Sequence, residues 1–153
     1  MQTKNVTFET YSDKYYLDIV HIVKNFHEDS LKEFDGHFSP EALIETITQL
    51  KQTQADSCFL LIVDGKCEGL LAGVSCRSFF NGKPIFQELI WYINKEHRKY
   101  GLKLLQKVEN ELLSRGISSI IMAVMENSMT QRIKDLYVRL GYRPMETHYI
   151  RNL

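Results

Sequence analysis

Apolar and polar positions alternate at the start of the chain, with Val6 and Phe8 set against Thr7 and Glu9, which predicts a short strand. The period then lengthens. Tyr15, Ile19, Ile22, Val23 and Phe26 fall on one helical face, with Ser12 placed to cap it. A second helix is expected at Ser39 and Pro40, a hydroxyl at the cap and proline in the first turn, with the stripe Leu43, Ile44, Ile47 and Leu50. The polar link from His27 to His37 reads as a loop. Cys58 to Val63 and Cys67 to Phe80 predict two strands joined by Asp64-Gly65, a two-residue hairpin signal. Gly69 and Gly73 predict bulging or strong twist in the second of these. Asn81-Gly82-Lys83-Pro84 breaks the sheet before another strand, Phe86 to Ile93.

A basic turn, Glu96 to Gly101, leads into a helix starting near Leu102, whose apolar face is Leu102, Leu105, Val108 and Leu112 and whose end is marked by Gly116. The nearly continuous apolar run Ile117 to Met125 predicts a central strand covered on both faces. Ser128 and Gln131 have the spacing of a capping box for a last helix carrying Ile133, Leu136, Tyr137 and Leu140 and closed by Gly141. Tyr142 to Ile150 is expected to form a final strand. The order is β-α-α-β-β-β-α-β-α-β, an α/β (α+β) class. Its βαβ crossover implies a parallel pair between the Phe86 and Ile117 strands.

The basic turn carries the chemistry. Helix N-terminal amides, a glycine and the cations Arg98 and Lys99 meet at one point, where donors and dipole both favour phosphate. Spacing alone leaves two readings open: the amides of Tyr100 to Lys103, with Arg98 and Lys99, grip a pyrophosphate, or this is a solvated basic loop with a routine glycine.

Composition narrows the partners. With 153 residues the chain is expected to form one domain, and 19 cations cancel 19 anions, so no global field recruits nucleic acid or an anionic membrane. Arg132, Lys134, Arg139, Arg143 and Arg151 are interspersed with acids and read as solvated surface. Cys58, Cys67 and Cys76 read as buried free thiols in a reducing compartment. Met1 to Asn5 shows no apolar leader and no stretch has membrane-spanning length, so the cytoplasm is the expected location. The five histidines show no ligand spacing, and no metal is expected.

Ile93-Asn94-Lys95-Glu96-His97-Arg98 followed by Gly101, and Leu136-Tyr137-Val138-Arg139-Leu140-Gly141-Tyr142 further on, resemble in order the two signatures of the GNAT superfamily of acyl-CoA-dependent N-acyltransferases. The first is roughly V-x-P-E-Y-R-x-x-G-x-G/A and the second L-Y-x-x-x-G-F. Lys95 replaces the proline. Either Lys103 stands at the second small position, or Gly101 occupies it in a loop two residues shorter; the register of Leu104, Leu105 and Val108 favours the latter. More loosely, the chain resembles compact family members encoded by phages. The resemblance covers nearly the whole chain and implies one domain, residues 1–153, with a centrally splayed mixed sheet.

It also implies acetyl-CoA as co-substrate, its diphosphate at Arg98, Lys99, Tyr100, Gly101, Leu102 and Lys103 and its pantetheine arm beside the backbone of Tyr92 and Ile93. Tyr137 would protonate the departing thiolate, or else simply belong to the core stripe. Glu88 would take the amine proton, or else be an ordinary paired carboxylate; Glu126 is a weaker candidate of the same kind. Asn127 would bond pantetheine or substrate, cap the next helix, or do both. His27, Glu28, Asp29 and Ser30 belong to the acceptor side or to a plain polar loop. A missing last strand would leave an edge for a second copy to cover. The expected activity is acetyl transfer to a primary amine, on a small molecule or a peptide. The alternatives are a catalytically silent acyl-CoA-binding module and a scaffold whose cleft is blocked by Tyr100 and Lys103.

Overall fold

In the computed structural model the description covers residues 3–54, 57–127 and 129–153, with Asp35 described by its backbone only. Strands β1 (Val6–Thr10), β2 (Cys58–Val63), β3 (Lys66–Arg77), β4 (Pro84–Ile93) and β5 (Ser119–Ile121) form one sheet in sequence order. The first four pair antiparallel, and β4 pairs with β5 in parallel. Asp64 and Gly65 both take positive φ, 51° and 82°, so the β2–β3 hairpin turns through the mirror-image geometry that matches strand twist.

Helix α1 (Tyr16–Phe26) follows a short 3₁₀ turn, Asp13–Tyr15, begun by the Ser12 carbonyl rather than by its hydroxyl. The expected loop after Phe26 is helical instead. A π-turn, His27–Leu31, in which Lys32 N–H reaches back to His27 O, joins α1 to α2 (Lys32–Asp35), and the run stops at Gly36, φ 74°. Helix α3 (Pro40–Gln54) starts where Ser39 and Pro40 predicted, with Ser39 Oγ accepting from Ala42 N–H at 3.2 Å. Helix α4 (Gly101–Ser114) follows β4 through a 3₁₀ turn, Lys95–Tyr100, and α5 (Thr130–Arg139) closes the fold. Ser128 lies outside the described residues. Met129 stands at the cap position without a side-chain cap bond, and Asn127 Oδ1 accepts from its N–H at 2.8 Å.

Two cores sandwich the sheet. On one face Leu104, Leu105, Val108 and Leu112 of α4, with Tyr137 of α5, pack on Phe59, Leu61, Leu71 and Phe86. On the other, Tyr15, Ile19, Ile22 and Phe26 pack on Leu60, Ile62, Leu70 and Tyr92.

Three further expectations need correction. The Ile117 to Met125 run yields a strand of only three residues. It lies at the sheet edge, half-buried rather than covered on both faces, because its ladder with β4 stops at Gln87 and Ile121. The final strand does not form: Tyr142 folds back onto the core, its hydroxyl on Glu109 at 2.6 Å, and residues 143–153 are exposed and unpaired in the sheet. Cys76 is exposed, since β3 outruns the core there; Cys67 is buried and Cys58 half-buried, and burial pushes both thiols up to about 12.

Candidate active site

The site begins with a defect in a strand. Between β3 and β4 the register slips: Ala72 faces Ile90 and Gly73 faces Glu88, so Leu89 is an extra residue with no partner opposite. Gly73 permits this, because a Cβ there would collide with the Gln87 carbonyl and the Phe86 ring. The slip inverts the strand's alternation. Phe86 packs on the α4 side; beyond the bulge Trp91 and Ile93 take that side, while Ile90 and Tyr92 turn to α1. The β4–β5 ladder ends one residue before Glu88, and the two chains diverge around a cleft of about 660 Å³.

At the apex of that fork two side chains converge on one residue. Glu88 Oε2 accepts from Ala123 N–H at 2.7 Å, and the Tyr137 hydroxyl donates to Ala123 O at 3.2 Å. Glu88 thus replaces the ladder bond that the divergence removes. It is buried, and burial raises its carboxyl from 4.5 to about 7, only partly opposed by the Ala123 bond. Burial, then the nearby Glu88 charge, pushes the Tyr137 hydroxyl far above its ordinary range, so it stays protonated. Its ring stacks on Trp91 with centroids 6.1 Å apart and leans on Tyr142 at 5.2 Å.

The basic turn forms the other end of the cleft. Asp29, carried in by the π-turn, accepts from the Tyr92 hydroxyl at 2.6 Å and pairs with Lys95 and with Arg98, both at 3.7 Å. Burial and this carboxylate together push the Tyr92 phenol up to about 12. Arg98 also donates from Nε to Ile93 O at 3.4 Å and lies over the Tyr92 ring. The expected row of free helix amides is shortened by the 3₁₀ turn, because Gly101 N–H is bonded to Arg98 O. Gly101 sits against Ile93, where a Cβ would come within 3.3 Å of its Cδ1, so the helix start lies flush with the strand end.

A sequence model of the acetyltransferase (GNAT) family matches residues 23–142. The chain belongs to that family. No curated protein sequence matches it. Among solved structures, a transcriptional regulator from Bacillus halodurans is similar at 12% identity and TM-score 0.77, over 97% of this chain and 100% of the other. An aminoglycoside acetyltransferase from an uncultured soil sample, solved with sisomicin, gives 13% and 0.73 over 97% and 96%. Glucosamine-6-phosphate N-acetyltransferase from Arabidopsis thaliana gives 10% and 0.70 over 97% and 98%. At such identities these likenesses establish the GNAT fold alone.

In this GNAT chain the cleft gathers Glu88, Tyr92, Ile93, Arg98, Lys99, Gly101, Leu102, Asn127 and Tyr137. Two expected cofactor contacts point their side chains elsewhere: Tyr100 stacks on His97 with centroids 6.4 Å apart, and Lys103 is exposed. Their bulk therefore does not block the cleft. Asn127 is committed on both ends of its amide, with Nδ2 donating to Ser30 Oγ at 3.1 Å. Glu126 is exposed and pairs with Lys134 at 3.7 Å. Sequence reasoning missed Leu89, the bulged residue, and Ala123, the backbone on which Glu88 and Tyr137 meet, because neither position carries a side-chain signal. It left Asp29 between the acceptor side and a plain loop, although Asp29 continues the Ile22 and Phe26 stripe at helical spacing.

Proposed function

We propose that this protein is an acetyl-CoA-dependent N-acetyltransferase acting on a primary amine. The observation that carries this reading is the convergence of Glu88 and Tyr137 on Ala123, at the apex of a cleft whose far end holds Arg98 and Lys99. The lining fits the co-substrate. Cations suit a diphosphate, the unpaired backbone of the diverging strands suits the pantetheine amides, and the apex suits the reacting carbonyl. Arg98 already holds Asp29, so Lys99 is the freer of the two cations and the first expected to meet phosphate.

Acetyl-CoA, when bound, supplies an activated acyl thioester. Glu88, with a carboxyl near 7, can take the proton that an attacking amine must lose as the C–N bond forms. Tyr137 can give its proton to the thiolate sulfur as the C–S bond breaks, after turning from Ala123 O. Return of the Glu88 proton to the Tyr137 oxygen through solvent completes the cycle. The backbone at the Leu89 bulge, three positions before the Tyr92 backbone expected from sequence, is the candidate donor to the carbonyl oxygen. The acceptor is a small molecule or peptide amine. The uncovered edge of β5 supports a homodimer, which light scattering tests.

Thermal unfolding with and without acetyl-CoA tests the reading. Ligand at about 100 times its Kd should stabilise the fold by about 2.7 kcal/mol, and Lys99→Ala should reduce that shift. No shift at millimolar ligand would overturn it.

A further inference from the structure

A second cavity, of about 410 Å³, lies on the opposite face of the sheet from Tyr137, beneath α3. Its floor is Leu70, Ala72 and Ile90; its roof is Leu43, Ile47 and Leu50. The volume falls within the range of small-molecule sites, roughly 300–1,000 Å³. Phe26 and Leu89 line both this cavity and the cleft, so the two spaces meet at the β4 bulge. A molecule filling the cavity therefore presents its end at the bulge, next to Glu88.

One polar group in its wall has nothing to do. His27, on the π-turn, is 5% exposed, and neither ring nitrogen has a hydrogen-bond partner among the described residues. Its nearest ring neighbour is Phe38, centroids 5.8 Å apart. A buried imidazole without partners costs free energy that a ligand group can recover. Of the other polar side chains of the wall, Lys51 is spent on Asp13, Gln54 on the Ser75 backbone, Thr46 on the Ala42 carbonyl, Ser39 on the Ala42 amide and Tyr11 on Asp13, while His37 is exposed to solvent. Among the described residues that line the cavity none is Asp or Glu, so nothing there neutralises a polycation.

We propose that this cavity is the acceptor subsite, and that the acceptor is a primary amine with an apolar aryl or branched-alkyl body. A single hydrogen-bonding group at its far end meets His27, and polyamino sugars are excluded. This rests on the acetyl-transfer reading for the amine's fate, though not for its binding. The amine end would lie at the bulge on the α1 side while Tyr137 stands on the α5 side, so the amine and the proton donor to sulfur approach the thioester from different sides of the sheet.

The test is calorimetric titration of tyramine, 2-phenylethylamine and sisomicin into the protein, with and without CoA. Tyramine should bind about tenfold more tightly than 2-phenylethylamine, because its phenol reaches His27. His27→Phe should erase that difference while 2-phenylethylamine still binds. Ala42→Phe, on the exposed helix α3, should weaken both amines about tenfold without altering the thermal shift given by acetyl-CoA. Persistence of the tyramine preference in His27→Phe, unaltered binding in a folded Ala42→Phe, or sisomicin binding as tightly as tyramine would each overturn the proposal. Tyramine binding in a protein that shows no acetyl-CoA shift would sustain the subsite and remove the transferase reading instead.

Discussion

Helices α3 and α4 carry the same kind of apolar stripe, and the fold uses them differently. Leu104, Leu105, Val108 and Leu112 of α4 are wholly buried, whereas α3 buries no side chain fully and leaves Ile44 44% exposed. The cap of α3 is well formed, so the contrast does not arise from helix formation. It arises from how each helix is tethered. Helix α4 is the crossover between the parallel strands β4 and β5, and its tight connections pull it onto the sheet. Helix α3 is not a crossover between paired strands, and the bulged strands beneath it leave a gap. The filled side of the sheet holds Glu88 and Tyr137 on Ala123; the open side has room for a ligand.

The largest expected effect breaks the filled side. Leu105→Ala should cost about 2–5 kcal/mol in urea unfolding, whereas Ile47→Ala on α3 should cost under about 1 kcal/mol; equal losses would erase the contrast. Next is Glu88. Its carboxyl titrates at 4.5 when unfolded and about 7 when folded, so the native state holds the proton longer. The associated stability is present below about pH 4.5 and lost as pH rises through 7, roughly 3 kcal/mol in all. Glu88→Gln should flatten unfolding free energy across that window and, by removing the base, lower kcat about 100-fold or more. A wild-type protein with level stability from pH 4.5 to 7 would contradict the burial argument. Tyr137→Phe should lower kcat about tenfold or more and weaken acetyl-CoA binding less; undiminished turnover would leave Tyr137 as core packing only. The smallest effect belongs to the open side: Ser39→Ala should cost about 1 kcal/mol of stability by removing the bond to Ala42 N–H, with the acetyl-CoA shift unchanged.

Much of the fold was legible because it follows from local rules. Asp64-Gly65 made its hairpin, Ser39-Pro40 its helix start, and Gly116 and Gly141, with φ of 80° and 88°, ended their helices. Gly73 marked the bulge, since only a missing Cβ lets β4 approach so closely. The link from His27 to His37 misled because Glu28, Asp29 and Lys32 look like loop residues. In the helical run Lys32 pairs with Glu28 at 3.5 Å on the exposed face, and Asp29 finds its partners across the chain at Tyr92, Lys95 and Arg98. The Ile117 to Met125 run misled for a related reason. Apolar composition marks a segment for burial without saying whether a strand or an irregular lining will provide it.

The sequence by itself determined where most helices and strands begin, which faces are apolar, and which candidate side chains line the cleft, because these depend on residue type and spacing of near neighbours. Tertiary structure alone decided that Glu88 and Tyr137 meet at Ala123, that Asp29 already pairs with Arg98, and that His27 lines a cavity with no hydrogen-bond partner among the described residues. These depend on a one-residue slip at Leu89 and on how closely two helices approach the sheet. Contacts between residues far apart in the chain set both, and no local pattern records them.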